Sequence, residues 1–309
     1  MALLIQTMQA VVIRSYGGPQ VLQVTELQRP VPAAGEVLIR VAASGVNPAD
    51  GKWRMGMFAQ IAPLSFPYVP GYDVAGTVEW GGAIAAGTRV FAMLDNRKGG
   101  AYAQFAVVAE RSLTRTPEGM EDAVAAALPT AALTGVQLIE EHIAPRSGER
   151  VLITGASGAV GRFALHAAKA CGAYVIAAVR AAQRQEVLTL GADEALVLGE
   201  SPSGGAAFDH LADTVGGAAV ALLCRQVRPG GRIRTVATTP IPPDGLPSAP
   251  QFIAVHADSR QLAAIARAVA DGNVRVPIAH VLPLADASKA HRLLEAGGVG
   301  GKIVLAPWL

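Results

Sequence analysis

The chain has 309 residues, enough for about two domains at ~150 residues each. Apolar residues make up 51% and charged residues 16%, with a mean hydropathy of +0.35, which excludes a disordered chain and calls for extensive buried structure. The net charge is +2, from 26 basic and 24 acidic residues that gather in no block, so neither nucleic acid nor a membrane surface is expected as a partner.

The opening MALLIQTMQAVVIRSY has no positive region ahead of an apolar core, and its short apolar patches alternate with polar residues as a first strand would. No secretory signal is expected, and a cytoplasmic location follows. From Val11 to about Glu110, short apolar runs (VLIRVAAS, DVAGTVEW, TRVFAML, YAQFAVVA) are separated by Gly, Pro and Asn clusters, which predicts a mostly β region. Ala123 to Ile139 is uncharged. It contains Pro129, Thr130, Thr134, Gly135 and Gln137 and falls short of a ~20-residue span, so it predicts a buried helix pair with a break rather than a membrane helix.

After about Ala123 the rhythm changes to strand, helix, strand, from VLITG through GAVGRFALHAAKACG and YVIAAVR to QRQEVLTLGA and EALVLG. With HLADTVGG, AVALLCRQVRPGG, RIRTVATT and QFIAVHA, this supplies up to six strands for one parallel, doubly wound sheet. An amphipathic helix, SRQLAAIARAVADG, follows a proline-rich loop, and ASKAHRLLEAGG and GKIVL add a last helix and strand. Cys171 and Cys224 are far apart in sequence and are expected to be inert core residues.

The strand VLIT runs into GASGAVG, with Gly155, Gly158 and Gly161 spaced three apart where a helix begins. Glycines there permit a tight turn, close approach of backbone to a pyrophosphate, and helix-on-strand packing. Ser157, Ala159 and Val160 complete the turn, and the free N–H groups at the helix start attract phosphate. The second strand ends at Arg180, where an NAD-binding domain usually carries an acid for the ribose hydroxyls. With Arg184 one turn on and no carboxylate before Glu186, the residues favour NADPH over NADH, since a guanidinium binds the 2′-phosphate bidentately; the alternative is that both arginines are solvated surface charges.

Together with the β-rich region before them, these residues resemble the medium-chain dehydrogenase/reductase superfamily, and within it the zinc-independent NADPH:quinone oxidoreductase branch that includes zeta-crystallin. The matching stretches are YGGPQVLQV, GEVLIRVAASGVNPADGKWR, PYVPGYDVAGTV, GGAYAQFAVV, LPTAALTG, GASGAVG, PGGRI and GKIVL. The resemblance implies an α/β fold in which a Rossmann-type doubly wound sheet, residues 125–257, is inserted into a mostly β, GroES-like catalytic domain made of residues 1–124 and 258–309. It also implies substrate binding in the cleft between domains, and a homodimer or homotetramer joined through the sheet edge where QFIAVH lies.

Where the zinc alcohol dehydrogenases of this superfamily carry Cys, His and Cys, the sequence has Asn47, Tyr72 and Thr130, all poor zinc ligands, and the four-cysteine structural lobe is missing. No metal is expected. By resemblance the NPxDxK-type loop, here Asn47, Asp50 and Lys52, lies beside the nicotinamide. Lys52 can bond the ribose or face a developing oxyanion, or it is a solvated charge. Tyr72 can serve as proton source, as aromatic wall, or as packing. Thr134 matches the position near the carboxamide, and Val236, Ala237, Phe252 and Lys302 are implied to line the cofactor. Trp53, Phe58, Tyr72 and Phe252 can stack on an aromatic acceptor or fill core. The leading expectation is hydride transfer from NADPH to an electrophilic small molecule, a quinone or an α,β-unsaturated carbonyl compound, without zinc. An NADPH-binding protein with a sensing or structural role is the alternative from another class, and a zinc alcohol dehydrogenase a weaker third.

Overall fold

The structure, a computed structural model, describes residues 7–200 and 207–309. It divides into two compact units, one running to Thr130 and resuming at Ala257, the other Ala131–His256. The first junction thus falls at Thr130 rather than at 124, because the helix that follows residue 121 packs on strands of the first unit.

In the first unit, β1 (Thr7–Val12) and β2 (Gln23–Gln28) form an antiparallel ribbon. Next come β3 (Glu36–Val46), α1 (Pro48–Arg54), β4 (Asp73–Trp80), β5 (Arg89–Met93), β6 (Phe105–Ala109), β7 (Thr114–Arg115) and α2 (Asp122–Ala127). The eleven residues of β3 serve two partners on one edge: Glu36–Arg40 pair with β6, and Ser44–Val46 pair with a strand from the far end of the chain. β4 pairs along the other edge. Gly45 on β3 lets α2 close over the sheet, since a Cβ there would lie 2.4 Å from the Ala126 carbonyl oxygen.

The second unit begins as α3 (Pro129–Gln137) crosses the junction, separated from α2 by the break at Leu128 that the sequence predicts. It continues through β8 (Arg150–Thr154), α4 (Ala159–Ala170), β9 (Tyr174–Val179), α5 (Arg184–Thr189), β10 (Glu194–Val197), β11 (His210–Asp213), α6 (Ala218–Cys224), β12 (Ile233–Thr235) and β13 (Gln251–Phe252). The six strands lie in the order β10-β9-β8-β11-β12-β13, every neighbouring pair parallel. Helices cover both faces of such a sheet, which is why VLIT and VIAAV are buried throughout rather than alternating.

Two expectations change here. The sixth strand is only Gln251–Phe252, not the whole QFIAVHA run. After Ile253 the backbone leaves the sheet, and the Gln137 side-chain amide holds His256 in its place, donating to the carbonyl at 2.9 Å and accepting the N–H at 3.0 Å. Cys224 is core, with burial pushing its thiol up to about 12, but Cys171 closes the end of α4 only partly covered.

The chain then returns to the first unit with α7 (Ser259–Ala270), β14 (Ile278–Pro283), α8 (Ala287–Ala296) and β15 (Lys302–Ala306). Asp258 caps α7, its carboxylate accepting the N–H groups of Arg260 and Gln261. β15 pairs parallel with β14 and antiparallel with β3, completing the larger sheet. Among the described residues no helix is long and apolar enough to cross a membrane.

Candidate active site

Each unit contributes its own set of polar residues. In the first, strand register brings three of them together: Gly45 of β3 lies opposite Asp73, the first residue of β4, and Val46 lies opposite Ile303. Asn47, which leads into α1, and Lys302, which opens β15, therefore meet beside Asp73. Asn47 Nδ2 donates to Asp73 Oδ2 at 2.9 Å, Lys302 Nζ donates to Asn47 Oδ1, and Nζ stands 4.0 Å from Asp73 Oδ2. Thr130, at the start of α3, donates its N–H and hydroxyl to Asp73 Oδ1 at 3.0 and 2.5 Å. All but Thr130 are buried. Burial pushes the Asp73 carboxyl up, opposed by the Lys302 charge, and pushes the Lys302 ammonium down, opposed by Asp73 and Asp50.

A second layer adjoins it. Asp50 Oδ2 accepts the Asn47 N–H at 2.8 Å and the Tyr102 hydroxyl at 2.9 Å. Burial pushes the Asp50 carboxyl to about 7, the Asn47 N–H pulling it down and the Asp73 charge raising it further. Its Oδ1 is buried without a hydrogen-bond partner. Tyr102 Oη is also 3.2 Å from Nε2 of His291 on α8, an imidazole that burial and then Arg54 hold down at about 3. Arg54, fully covered, is ion-paired with Glu295.

Of the residues predicted from sequence, Asn47, Asp50, Tyr72 and Lys302 fall in this cluster. Tyr72 is buried and bonded to the Thr130 side chain, and burial raises its hydroxyl well above the usual tyrosine range. Lys52 is half-buried on α1, which pushes its ammonium down, and no side-chain bond ties it to the cluster among the described residues. Trp53 is buried and packs on Phe58, centroids 4.8 Å apart. Tyr102, His291, Arg54 and Glu295 have no role assigned from sequence, although Tyr102 and Arg54 lie in the stretches GGAYAQFAVV and GKWR.

In the second unit β8 runs into the glycine turn at Thr154. Gly155 has φ +62°, and a Cβ there would meet Thr214 Oγ1 at 2.5 Å. Gly158 caps α4 without a side chain, and α4 has no acidic residue in its first turn. The N–H groups of Ala159, Val160 and Gly161 accordingly have no partner within the helix. A Cβ on Gly161 would lie 2.2 Å from the Gly155 carbonyl oxygen, so turn and helix touch backbone to backbone. Ser157 is buried within the turn. The turn lies where the chain, having laid β9 and β10 to one side of β8, crosses to β11 on the other.

Below the turn, Asp213 is a buried node with no counterpart in the sequence reading. It accepts from Thr154 Oγ1 and Thr235 Oγ1, each at 2.6 Å, and from the N–H groups of Val215 and Gly216. This ties the ends of β8, β11 and β12 together and sets the path of Val236 and Ala237, whose N–H groups donate to Asp213 O and Thr235 Oγ1. Arg180, at the end of β9, is exposed and donates to Gln183 Oε1 at 3.1 Å, and Arg184 is exposed at the start of α5. Glu186, the first carboxylate after β9, pairs with Arg162 of α4. Thr134 is buried in α3, and Phe252, 55% exposed, sits on the terminal strand β13.

A parallel six-stranded sheet with a glycine turn at its switch point defines a dinucleotide-binding α/β protein. Residues 33–118 match the alcohol dehydrogenase GroES-like domain family, and residues 185–305 the zinc-binding dehydrogenase family. The chain is 31% identical over 324 residues to the quinone oxidoreductase of Sus scrofa, covering 96% of this chain and 97% of that protein. It is 37% identical over 199 residues to the chloroplast envelope quinone oxidoreductase homolog of Arabidopsis thaliana, covering 61% of this chain. That alignment spans 60% of the plant protein's length. The solved quinone oxidoreductase from Coxiella burnetii superposes with a TM-score of 0.85 at 25% identity, over 97% of this chain and 99% of that one. The chain belongs to the medium-chain dehydrogenase/reductase superfamily, in its quinone oxidoreductase branch.

Proposed function

We propose that the protein is an NADPH-dependent reductase that passes a hydride to a quinone or an α,β-unsaturated carbonyl acceptor without zinc. The observation that carries the reading is the uncapped start of α4, where backbone N–H groups and glycines leave a cradle for a pyrophosphate beside a strand that ends in Arg180 rather than an acid. Bound there, NADPH supplies the hydride from its nicotinamide ring. Residues Gly155 to Val160 hold its phosphates, and Arg180 and Arg184 meet the 2′-phosphate, while Glu186, the first carboxylate after β9 in sequence, is ion-paired with Arg162. Quinones are the acceptors that the names of the relatives indicate.

Zinc does not suit the positions that hold it in alcohol dehydrogenases. Asn47 Nδ2 and the Thr130 N–H and hydroxyl donate to Asp73, Asn47 Oδ1 accepts from Lys302, Tyr72 keeps its proton, and the Lys302 ammonium stands within 4.0 Å of the Asp73 carboxylate. A positive side chain there opposes a second cation.

Calorimetric titration with NADPH and NADH, followed by an oxidation screen with 1,4-benzoquinone, 9,10-phenanthrenequinone and 2-alkenals, tests the reading. NADPH binds more tightly, Arg180→Glu raises its KM roughly tenfold with little change for NADH, and EDTA leaves turnover intact. Tighter NADH binding, or loss of turnover on chelation, refutes the corresponding part. β13 ends its sheet with Phe252 exposed, and we take this edge as the contact of a homodimer. Sedimentation of Phe252→Lys, expected to be monomeric beside a dimeric parent, checks that.

A further inference from the structure

Reduction of a carbonyl acceptor consumes one proton for each hydride, and the first unit holds a chain of groups suited to delivering it. Asp50 is 2% exposed, Tyr102 0% and His291 1%, so the chain Asp50 Oδ2, Tyr102 Oη, His291 Nε2, with steps of 2.9 and 3.2 Å, is shut off from solvent along its length. Its far end approaches the surface. A Cβ built on Gly51 would lie 3.4 Å from Glu295 Oε1 and 3.9 Å from both Arg54 Nη2 and His291 Nδ1, so the Arg54–Glu295 ion pair and the imidazole face the same position on α1, and the Glu295 side chain is 39% exposed. At the near end, Asp50 Oδ1 is buried with nothing bonded to it.

We propose that Glu295, His291, Tyr102 and Asp50 form a proton path from the surface to the buried polar cluster, with Gly51 keeping the passage between Glu295 and His291 open. This rests on the reductase reading for its use, not for its existence. Before transfer, His291 Nε2–H donates to Tyr102 Oη and Tyr102 donates to ionised Asp50. A proton arriving at His291 Nδ1 from the Glu295 side releases the one on Nε2 to Tyr102, and Tyr102 passes its own to Asp50. Afterwards Asp50 donates to Tyr102 and Tyr102 to Nε2. His291 and Tyr102 each gain one proton and lose one, Asp50 gains one, no electrons move, and His291 stays neutral at both ends of the event. That suits an imidazole held at about 3 by burial and by the Arg54 charge. The proton leaves Asp50 for the oxyanion that the acceptor becomes on taking hydride, and the path refills the carboxyl.

The surroundings of Asp50 set it up as a proton store. Asp73, Tyr68, Tyr72 and Tyr102 face it, and Lys302 offsets part of the Asp73 charge. With the carboxyl at about 7, both forms are populated near neutrality. Gly51 is inside α1 and outside the left-handed region, so alanine fits its backbone, and its methyl would meet neighbours at ordinary contact distance.

The test uses the whole protein without added cofactor. Infrared spectra identify the protonated Asp50 carboxyl band as the one lost in Asp50→Asn, and its isotopic shift is timed after mixing into D2O. The path predicts fast exchange in the parent and exchange at least about tenfold slower in Gly51→Ala and His291→Phe, with the Gly51→Ala midpoint unchanged. Tyr102→Phe slows exchange and raises the midpoint, because a hydrogen bond favouring the ionised form is lost. Absence of a band titrating near neutral pH, or equal exchange rates in all four proteins, overturns the proposal. With NADPH and 9,10-phenanthrenequinone, Gly51→Ala lowers kcat and enlarges the solvent deuterium effect while KM for NADPH holds. If the parent reduces no acceptor but the exchange rates separate as stated, the reductase reading fails and the path stands. Turnover with uniform exchange rates has the opposite meaning.

Discussion

Lys302 is the clearest single-residue test of the buried cluster. Replacing it with methionine keeps the stem and removes the cation 4.0 Å from Asp73, leaving a fully buried carboxylate with neutral donors only. Breaking a buried pair in this way costs about 3–5 kcal/mol, to be read from urea unfolding at neutral pH, and adding Asp73→Asn restores most of it. Asp50 gives a second test, in which sign matters. Its carboxyl stands at about 7 in the folded protein against 3.8 for the ordinary side chain, so unfolding releases a proton between those limits. The stability it contributes is full below the lower limit and is lost as pH rises through the upper one. Asp50→Asn removes that dependence, and the slope of unfolding free energy against pH between roughly 4 and 7 becomes shallower by one proton. Asn47, Asp50 and Lys302 were legible because the motif stretches GVNPAD and GKIVL contain them. Tyr102 and His291 were not, since one joins Asp50 across 52 positions and the other joins Tyr102 across 189, and no local pattern encodes such a pairing.

At the level of elements, the glycine turn was the most readable part of the chain, because its requirement is local: strand, bend and helix within Arg150–Ala170. Gly161→Ala tests it. The added Cβ would fall 2.2 Å from the Gly155 carbonyl oxygen, so α4 must move off the turn. Affinity for the nicotinamide cofactor is expected to fall at least about tenfold, with a lower Tm in the absence of nucleotide; calorimetry and thermal unfolding check both. Elements whose limits depend on distant partners read less well. QFIAVHA has the composition of a strand, yet Gln137 takes hold of His256 119 positions away, and pairing stops at Phe252. Asp213 was not legible for a related reason. An acid at a strand end looks like a turn residue until Thr154 and Thr235 are seen to converge on it.

For the molecule as a whole, alternation of strand and helix against runs of short strands was enough to separate a parallel sheet from an antiparallel one. The rhythm change placed the first junction a little early, at 124 rather than Thr130, because α2 has the same alanine-rich character as the helices beyond it while packing on β3 and β4. The return of the chain to β3 at residues Lys302–Ala306 has a consequence for biosynthesis. Residues 131–256 have every strand of their sheet in hand once Phe252 is made, whereas the surrounding unit waits for Lys302–Ala306. Chains truncated at residue 256 and released are therefore expected to show a protease-resistant core made of the inserted unit alone. The flanking segment should stay cleavable until a peptide covering 257–309 is supplied, with β3 meanwhile an open edge that chaperones must shield.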